Sequence, residues 1–409
     1  MKKTNLETWI REIEGIEDFT RESLEVLQLR RLNELLERLK ARGGIYQNLP
    51  DRLESLSQLQ TLPFTTPRML SERPGQFLVR SQSEVSRVIS GTTSGTTGQA
   101  KRVFYTAGDT EKTVGFFAAG ISEMLHRGEK CFIAFPFSGP FGLGDLIAQA
   151  VERLGAIPVK AGFGQSYGEA CQLLRETWPE TYIGFSVPLL SMARMYGKDF
   201  PIQRALLSGD ACPEGVLKEL EALLGSKTYP HYGSRETVLG GAVTCPAFEG
   251  MHLRENHIIP EIIDENGQVL PDGEYGELVI TTIGMEAMPL LRYRTGDYTR
   301  IYREPCPCGG VTRRLARVTR REKGPYSMEA LDSVLFSVPE LVDYRAEYRD
   351  GLKLTLRAFR PELKEEITAK VRSIYPDADL SLTICPPNPK DGPMYPGKRY
   401  VMEFPKGDG

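Results

Sequence analysis

Leu24, Leu27, Leu29, Leu32, Leu35, Leu36 and Leu39 recur at helical spacing with charged residues between them. The pattern predicts an amphipathic helix over 18–42 whose apolar stripe faces the main body. Further along, short apolar runs alternate with helical patterns. Residues 86–90 and 130–135 read as strands, 143–154 as a helix, 156–159 as a strand, 168–177 as a helix and 181–185 as a strand. This alternation predicts βαβ units and a mostly parallel sheet, the α/β class. From about residue 251 the texture turns to β and turns, with Asn266-Gly267 and Asp272-Gly273 between apolar runs as hairpin signals. From about residue 324 it changes again. Helices over 328–338 and 361–374 and strands over 344–348, 352–358 and 380–384 make a small α+β unit. The expected division is a large domain over 1–322 and a small one over 323–409.

Composition narrows the class. The chain has 409 residues, 40% of them hydrophobic and 26% charged, which is globular and not disordered material. A net charge of −3 lacks the basic surplus of a nucleic-acid binder. No stretch approaches the roughly 18 uninterrupted apolar residues of a membrane span. The opening residues are polar, without the apolar centre of a secretory signal. Seven cysteines, an odd number thinly spread, fit a reducing compartment, so the expected location is cytoplasmic.

Residues 90–101 read Ser-Gly-Thr-Thr-Ser-Gly-Thr-Thr-Gly-Gln-Ala-Lys. Glycines let such a backbone turn tightly and present N–H groups, hydroxyls add donors, and Lys101 adds charge, so the loop suits phosphate oxygens. It matches neither the P-loop NTPase pattern nor Gly-x-Gly-x-x-Gly.

Thr93-Ser-Gly-Thr-Thr-Gly-Gln-Ala-Lys101 resembles the phosphate loop of the acyl-adenylate-forming (ANL) superfamily. Tyr232-Gly-Ser-Arg-Glu236, Tyr293-Arg-Thr-Gly-Asp297 and Pro396-Gly-Lys398 are similar to three further motifs of that superfamily, in the same order. Leu62-Pro-Phe-Thr-Thr66, Asn256-His-Ile-Ile-Pro-Glu-Ile-Ile-Asp264, Leu270-Pro-Asp-Gly-Glu-Tyr-Gly-Glu-Leu278 and the Cys-x-Cys-Gly at 306–309 narrow the resemblance to the phenylacetate–CoA ligase branch.

The resemblance implies ATP-dependent activation of a carboxylic acid, then thioester formation with CoA. Thr93, Ser94, Gly95, Thr96, Thr97 and Gly98, with Lys101, would hold the ATP phosphates, and Glu236 would help hold Mg²⁺. Tyr232, with Gly233 and Ser234 beside it, would meet adenine, and Ser208, Gly209 and Asp210 would form an adenine-side loop. Asp297 would accept the ribose hydroxyls, with Arg321 assisting. Lys398 would bridge the attacking carboxylate and ATP oxygens. Residues 135–145 and 184–188 would line the acid pocket. The small domain would be mobile and rotate about Lys323 between half-reactions. The partners implied are a small carboxylic acid and CoA, with no nucleic acid and no membrane, and a homodimer is the assembly the branch suggests.

Cys245, His252, Cys306 and Cys308 form a second group, with C-x₆-H and C-x-C spacings. Two such pairs suit a tetrahedral structural zinc site. The alternative is a pair of cytosolic thiols in a glycine turn. The sequence also departs from the family pattern. Arg235 replaces a hydroxyl residue before Glu236, and the stretch after Lys323 is about half a dozen residues short of the family's β-loop for thioester formation. A carrier-protein thiol or an amine as acceptor therefore stays open, as does a nucleotide-binding scaffold without catalysis.

Overall fold

The computed structural model describes residues 4–91, 101–139, 141–320, 324–395 and 397–403. They form two compact units, each assembled from two stretches of chain: 1–123 with 231–320, and 124–230 with 321–409.

In the first unit the expected amphipathic helix runs Arg21–Arg42. Thr20 and Ser23 close a capping box at its start, and Gly43, at φ 69°, ends it. Its leucines at 24, 27, 32, 35, 36 and 39 are buried. A helix that the sequence analysis did not place, Asn5–Glu14, precedes it, capped by Thr4 and ended by Gly15 in the left-handed region. Strands Val85–Gly91 and Lys101–Thr106 pair antiparallel on either side of the Gly/Thr loop, and helix Ala107–Ile121 follows directly. Ile258–Ile263, Gly276–Thr282, Tyr293–Thr299 and Thr319–Arg320 make a four-stranded antiparallel sheet. The two turn signals at 266 and 272 fall between its first two strands, as expected. The short strands Ala242–Thr244, Met251–Leu253 and Arg314–Leu315 also pair antiparallel. One apolar core runs from Leu32 and Leu36 through Val103 and Tyr105 to Ile280, Leu290 and Tyr293.

The second unit carries the predicted parallel sheet, in the order Ile157–Lys160, Lys130–Ile133, Thr181–Gly184, Arg204–Leu207, followed by Tyr229 and Pro230. Helices Leu143–Arg153, Tyr167–Thr177, Ser186–Tyr196 and Glu214–Leu224 connect successive strands. All four residues of Thr181–Gly184 are buried, as strands covered on both faces must be. The same unit holds a second sheet: Leu352–Ala358 lies between Leu380–Cys385 and Leu341–Tyr348, with Met402–Glu403 at the edge. Helices Met328–Leu335 and Lys364–Ile374 complete it. A single core joins Leu174, Val187 and Leu190 to Leu331, Phe336, Val342 and Leu354. Among the described residues no helix is long and apolar enough to cross a membrane.

Candidate nucleotide and metal sites

Strand Lys101–Thr106 begins at Lys101, which is fixed in the ladder opposite Gly91. The Lys101 Nζ lies 2.5 Å from Glu236 Oε1 and 3.0 Å from the Tyr293 hydroxyl, and that hydroxyl donates to the same Glu236 oxygen at 2.9 Å. Glu236 is 4% exposed. Burial by itself pushes its carboxyl up, but the Lys101 charge, its hydrogen bond and the Tyr293 hydroxyl outweigh burial and hold it below its ordinary value.

The backbone around Glu236 is tight. A Cβ on Gly233 would stand 2.2 Å from the Leu239 carbonyl oxygen, so no other residue fits. Val238 and Leu239 both sit at positive φ, 52° and 67°, and a β-branched residue there is strained. The strain is held by neighbours. Thr113 donates to the Val238 carbonyl at 2.8 Å, and Leu239 N–H donates to the Ser234 carbonyl at 2.8 Å. The Tyr105 hydroxyl binds the Arg235 carbonyl at 2.6 Å. Arg235, the departure from the family pattern, thus contributes main chain to the turn.

Tyr232 donates its hydroxyl to Asp297 Oδ2 at 2.9 Å. Asp297 is aimed by the turn before it. Gly296 is at φ 74°, Thr295 Oγ1 donates to the Leu278 carbonyl at 2.6 Å, and Asp297 N–H returns to Thr295 Oγ1 at 3.0 Å. Arg320 Nε approaches Asp297 Oδ1 at 3.9 Å from the neighbouring strand. The Leu62-Pro-Phe-Thr-Thr66 stretch is the buttress of this strand. Thr65 bridges to Tyr293, and the buried Arg292 reaches the carbonyls of Gln60 and Leu62 at 2.6 and 2.9 Å while pairing with Glu261 at 3.0 Å. Arg292 carries no sequence signal beyond its place in an apolar run, and Glu261, though inside the Asn256–Asp264 stretch, was given no role of its own.

The structure therefore brings Lys101, Glu236, Tyr232, Ser234 and Asp297 into the first unit. It places Ser208, Gly209, Asp210 and Lys398 in the second. Gly209 is at φ 87°, with the Phe185 ring where a Cβ would go. Lys398 is exposed. The Thr93–Gly98 stretch, Arg321 and Lys323 lie outside the described residues. Helix Met328–Leu335 is capped by Ser327, only four residues after position 323, which matches the shortened connection read from the sequence.

The ligand atoms of Cys245, His252, Cys306 and Cys308 all lie within 4.8 Å of one another, three of the residues buried and Cys308 partly so. Gly309, at φ 78°, closes the turn after Cys306, its N–H donating to the Cys306 carbonyl at 2.9 Å. Gly310 N–H donates to Cys308 Sγ at 3.3 Å. His252 Nε2 faces Cys308 Sγ at 3.3 Å, and its Nδ1 meets Thr312 Oγ1 at 2.8 Å. The Thr312 hydroxyl in turn donates to Glu7 Oε1 at 2.9 Å. A carboxylate only accepts, so Thr312 must donate to Glu7 and accept from His252. That places the ring proton on Nδ1 and leaves the Nε2 lone pair facing the thiols, the arrangement a metal requires. The sequence analysis gave Glu7 no role, because its partners lie more than 300 positions away. The fully buried carboxylate takes the N–H groups of Val311 and Thr312 at 2.6 and 2.7 Å.

Residues 87–287 match the family model of AMP-binding enzymes. The chain is similar to the phenylacetate-coenzyme A ligase of Aromatoleum evansii, 31% identical over 81% of this chain and 78% of that one. It is also similar to that of Thermus thermophilus, 29% identical over 80% and 79%. Among solved structures, a 2-hydroxyisobutyryl-CoA ligase in its postadenylation state shares the fold, with a TM-score of 0.76 at 19% identity over 92% of this chain and 89% of that one.

Proposed function

The chain belongs to the phenylacetate–coenzyme A ligase family of acyl-adenylate-forming enzymes, and we propose that it joins a carboxylic acid to CoA in two steps. A carboxylate oxygen attacks the α-phosphorus of ATP and pyrophosphate leaves. The CoA sulfur then attacks the acyl carbon, its proton passes to solvent, and AMP leaves. The observation that carries this reading is the Lys101–Glu236–Tyr293 triangle in the same unit as the Tyr232–Asp297 pair. It gathers a cation, a carboxylate held ionised and a second carboxylate aimed from a fixed turn, all on elements locked by main-chain bonds.

Lys101 and the Thr93–Gly98 loop hold the phosphates, Asp297 accepts the ribose hydroxyls with Arg321, and Tyr232 and the Ser208–Gly209–Asp210 loop take the adenine side. The Glu236 carboxylate suits Mg²⁺, which when bound neutralises phosphate charge. Lys398 neutralises charge as the carboxylate meets ATP. Functionally, residues 1–322 bind ATP and acid, and 323–409 form the small mobile domain that brings Lys398. The acid is an aryl or acyl carboxylate. The four ligand atoms gathered within 4.8 Å, with His252 already in the metal-binding tautomer, fit a structural zinc ion. A cytoplasmic location is supported by seven free cysteines, and a homodimer completes the reading.

ATP–pyrophosphate exchange, screened with phenylacetate first and then with benzoates, aliphatic acids and amino acids, tests it. Acid-dependent exchange, followed by AMP release and thioester formation on adding CoA, is the expected result. Exchange without CoA transfer redirects the second step to another thiol or an amine, as the short connection after Lys323 would favour. ATP binding without exchange for any acid overturns the enzymatic reading.

A further inference from the structure

One position after Lys398 the surroundings change in kind. Lys398 and Tyr400 are exposed, whereas the Arg399 side chain between them is only 7% exposed. The segment turns one face outward and drives Arg399 into the core of the second unit. There the guanidinium spans two carboxylates: Nη2 is 2.9 Å from Asp332 Oδ1 and Nη1 is 3.0 Å from Asp343 Oδ1. Both acids are buried. The Tyr344, Tyr395 and Phe336 rings face the cation, with centroids 4.7, 4.9 and 5.4 Å away.

The carboxylates are themselves held. Tyr344 donates to Asp332 Oδ1 at 2.6 Å. Asp343 Oδ2 takes the Tyr167 hydroxyl at 3.1 Å and Met394 N–H at 2.8 Å. A planar fork gripped at two ends by fixed acceptors has little freedom to slide. The main chain of the same residue makes a further contact: Arg399 N–H donates to Asp210 Oδ2 at 2.7 Å. Asp210 belongs to the Ser208–Gly209–Asp210 loop. Adjacent Cα atoms lie about 3.8 Å apart, so the root of Lys398 is fixed as closely as Arg399 is.

We propose that Arg399 is a positioning residue for acyl-adenylate formation: its buried fork anchors the Lys398 segment to Asp332 and Asp343, its N–H ties the same segment to the Asp210 loop, and together they set where the Lys398 ammonium works. The inference rests on the reading of Lys398 as the adenylation lysine. A merely structural Arg399 would support every activity of the protein alike. A positioning Arg399 supports the step that uses Lys398 and leaves the other step alone.

The test compares the two half-reactions in the full-length protein. ATP–pyrophosphate exchange reads the first, using phenylacetate or the acid that replaces it in the screen above. CoA transfer from the corresponding synthetic acyl-adenylate reads the second. Arg399→Met is expected to lower the exchange kcat about 100-fold, the scale of a misplaced reacting group, with the KM for ATP within about twofold and the transfer rate within about threefold. Arg399→Lys, which keeps the charge and loses the fork, should fall between. Because Arg399→Met leaves two buried acids unpaired, the triple variant Arg399→Met/Asp332→Asn/Asp343→Asn serves as the version without stranded charge. A folded triple variant with full exchange, or equal loss of both half-reactions in step with a lowered Tm, overturns the proposal. Lys398→Ala run alongside keeps the two readings apart: if that variant retains exchange, the role of Lys398 falls, whatever Arg399 does.

Discussion

The Glu236 carboxylate and the Lys101 ammonium meet at 2.5 Å although 135 positions separate them in the chain. One comes from a strained turn and the other from the first residue of a strand, so two local conformations fix one ion pair. Glu236→Gln should keep the shape, remove the charge and leave the half-buried Lys101 beside a neutral amide. Adenylation should fall by about 100- to 1000-fold, the usual effect of losing one preorganised electrostatic group. Exchange kinetics check this, and added Mg²⁺ should restore little of the loss.

Lys398→Ala should abolish acid-dependent exchange by at least about 100-fold while ATP still binds, as read by calorimetry. Its side chain is exposed, so Tm should stay within about 1–2 °C of the parent, in line with the small effects of surface substitutions. A large drop in Tm would instead make the residue structural.

Gly233→Ala should fail through sterics alone. Its Cβ would meet the Leu239 carbonyl oxygen at 2.2 Å, a main-chain atom that cannot rotate away. We expect loss of about 2–4 kcal/mol of stability by the route of strain at a special backbone position, measured by urea unfolding, together with loss of exchange.

Thr312→Val replaces the hydroxyl that joins Glu7 to His252 by a methyl of similar size. The ring is then free to take the other tautomer. Zinc affinity, read by competition with a chromophoric chelator, should weaken by about 10- to 100-fold. Cys308→Ser should lose the metal outright. Unchanged affinity in Thr312→Val would remove the relay while leaving the site.

Acid should unfold the first unit through imidazoles packed inside it, the half-buried His231 and the buried His257. Burial pushes His231 down to about 4. His257 is held well below its ordinary 6.5, first by burial and then by the charges of Arg254, Lys112 and Arg31. Unfolded, each titrates near 6.5. Between the two values the unfolded chain binds protons that the folded one does not, so stability is complete above about pH 6.5 and falls as pH drops towards 4. The His231 shift alone corresponds to something on the order of 3 kcal/mol. Urea midpoints across that range check it, and His231→Phe, which suits neighbouring Phe116 and Phe117, should flatten the slope.

Periodicity showed the elements whose burial is simple. The leucine stripe of Arg21–Arg42 and the buried strand Thr181–Gly184 follow from hydrophobic spacing alone. Motifs showed the residues that carry charge. What stayed hidden is the support behind them. Glu7, Thr312, Arg292 and Glu261 act through partners tens to hundreds of positions away, and a distant partner leaves no local pattern. Arg399 hid for a different reason. Beside a motif lysine it reads as one more surface cation, and only the burial of Asp332 and Asp343 distinguishes it. Helix Asn5–Glu14 was missed although Leu6, Trp9, Ile10 and Ile13 fall at helical spacing, because the opening residues were weighed only for their polar character.

Both units are interrupted in sequence, and that orders events on the ribosome. The first cannot close until residues 231–320 have been made, and the second waits for 321–409. Until position 399 emerges, the nascent chain holds Asp332 and Asp343 with no cation for the cavity they enter, so the second core stays open to water and to chaperones until then. The arginine that fixes the lysine segment is thus also the last counter-charge to arrive, and a ribosome that stalls a few codons before it releases a protein whose parallel sheet is complete and whose core is not.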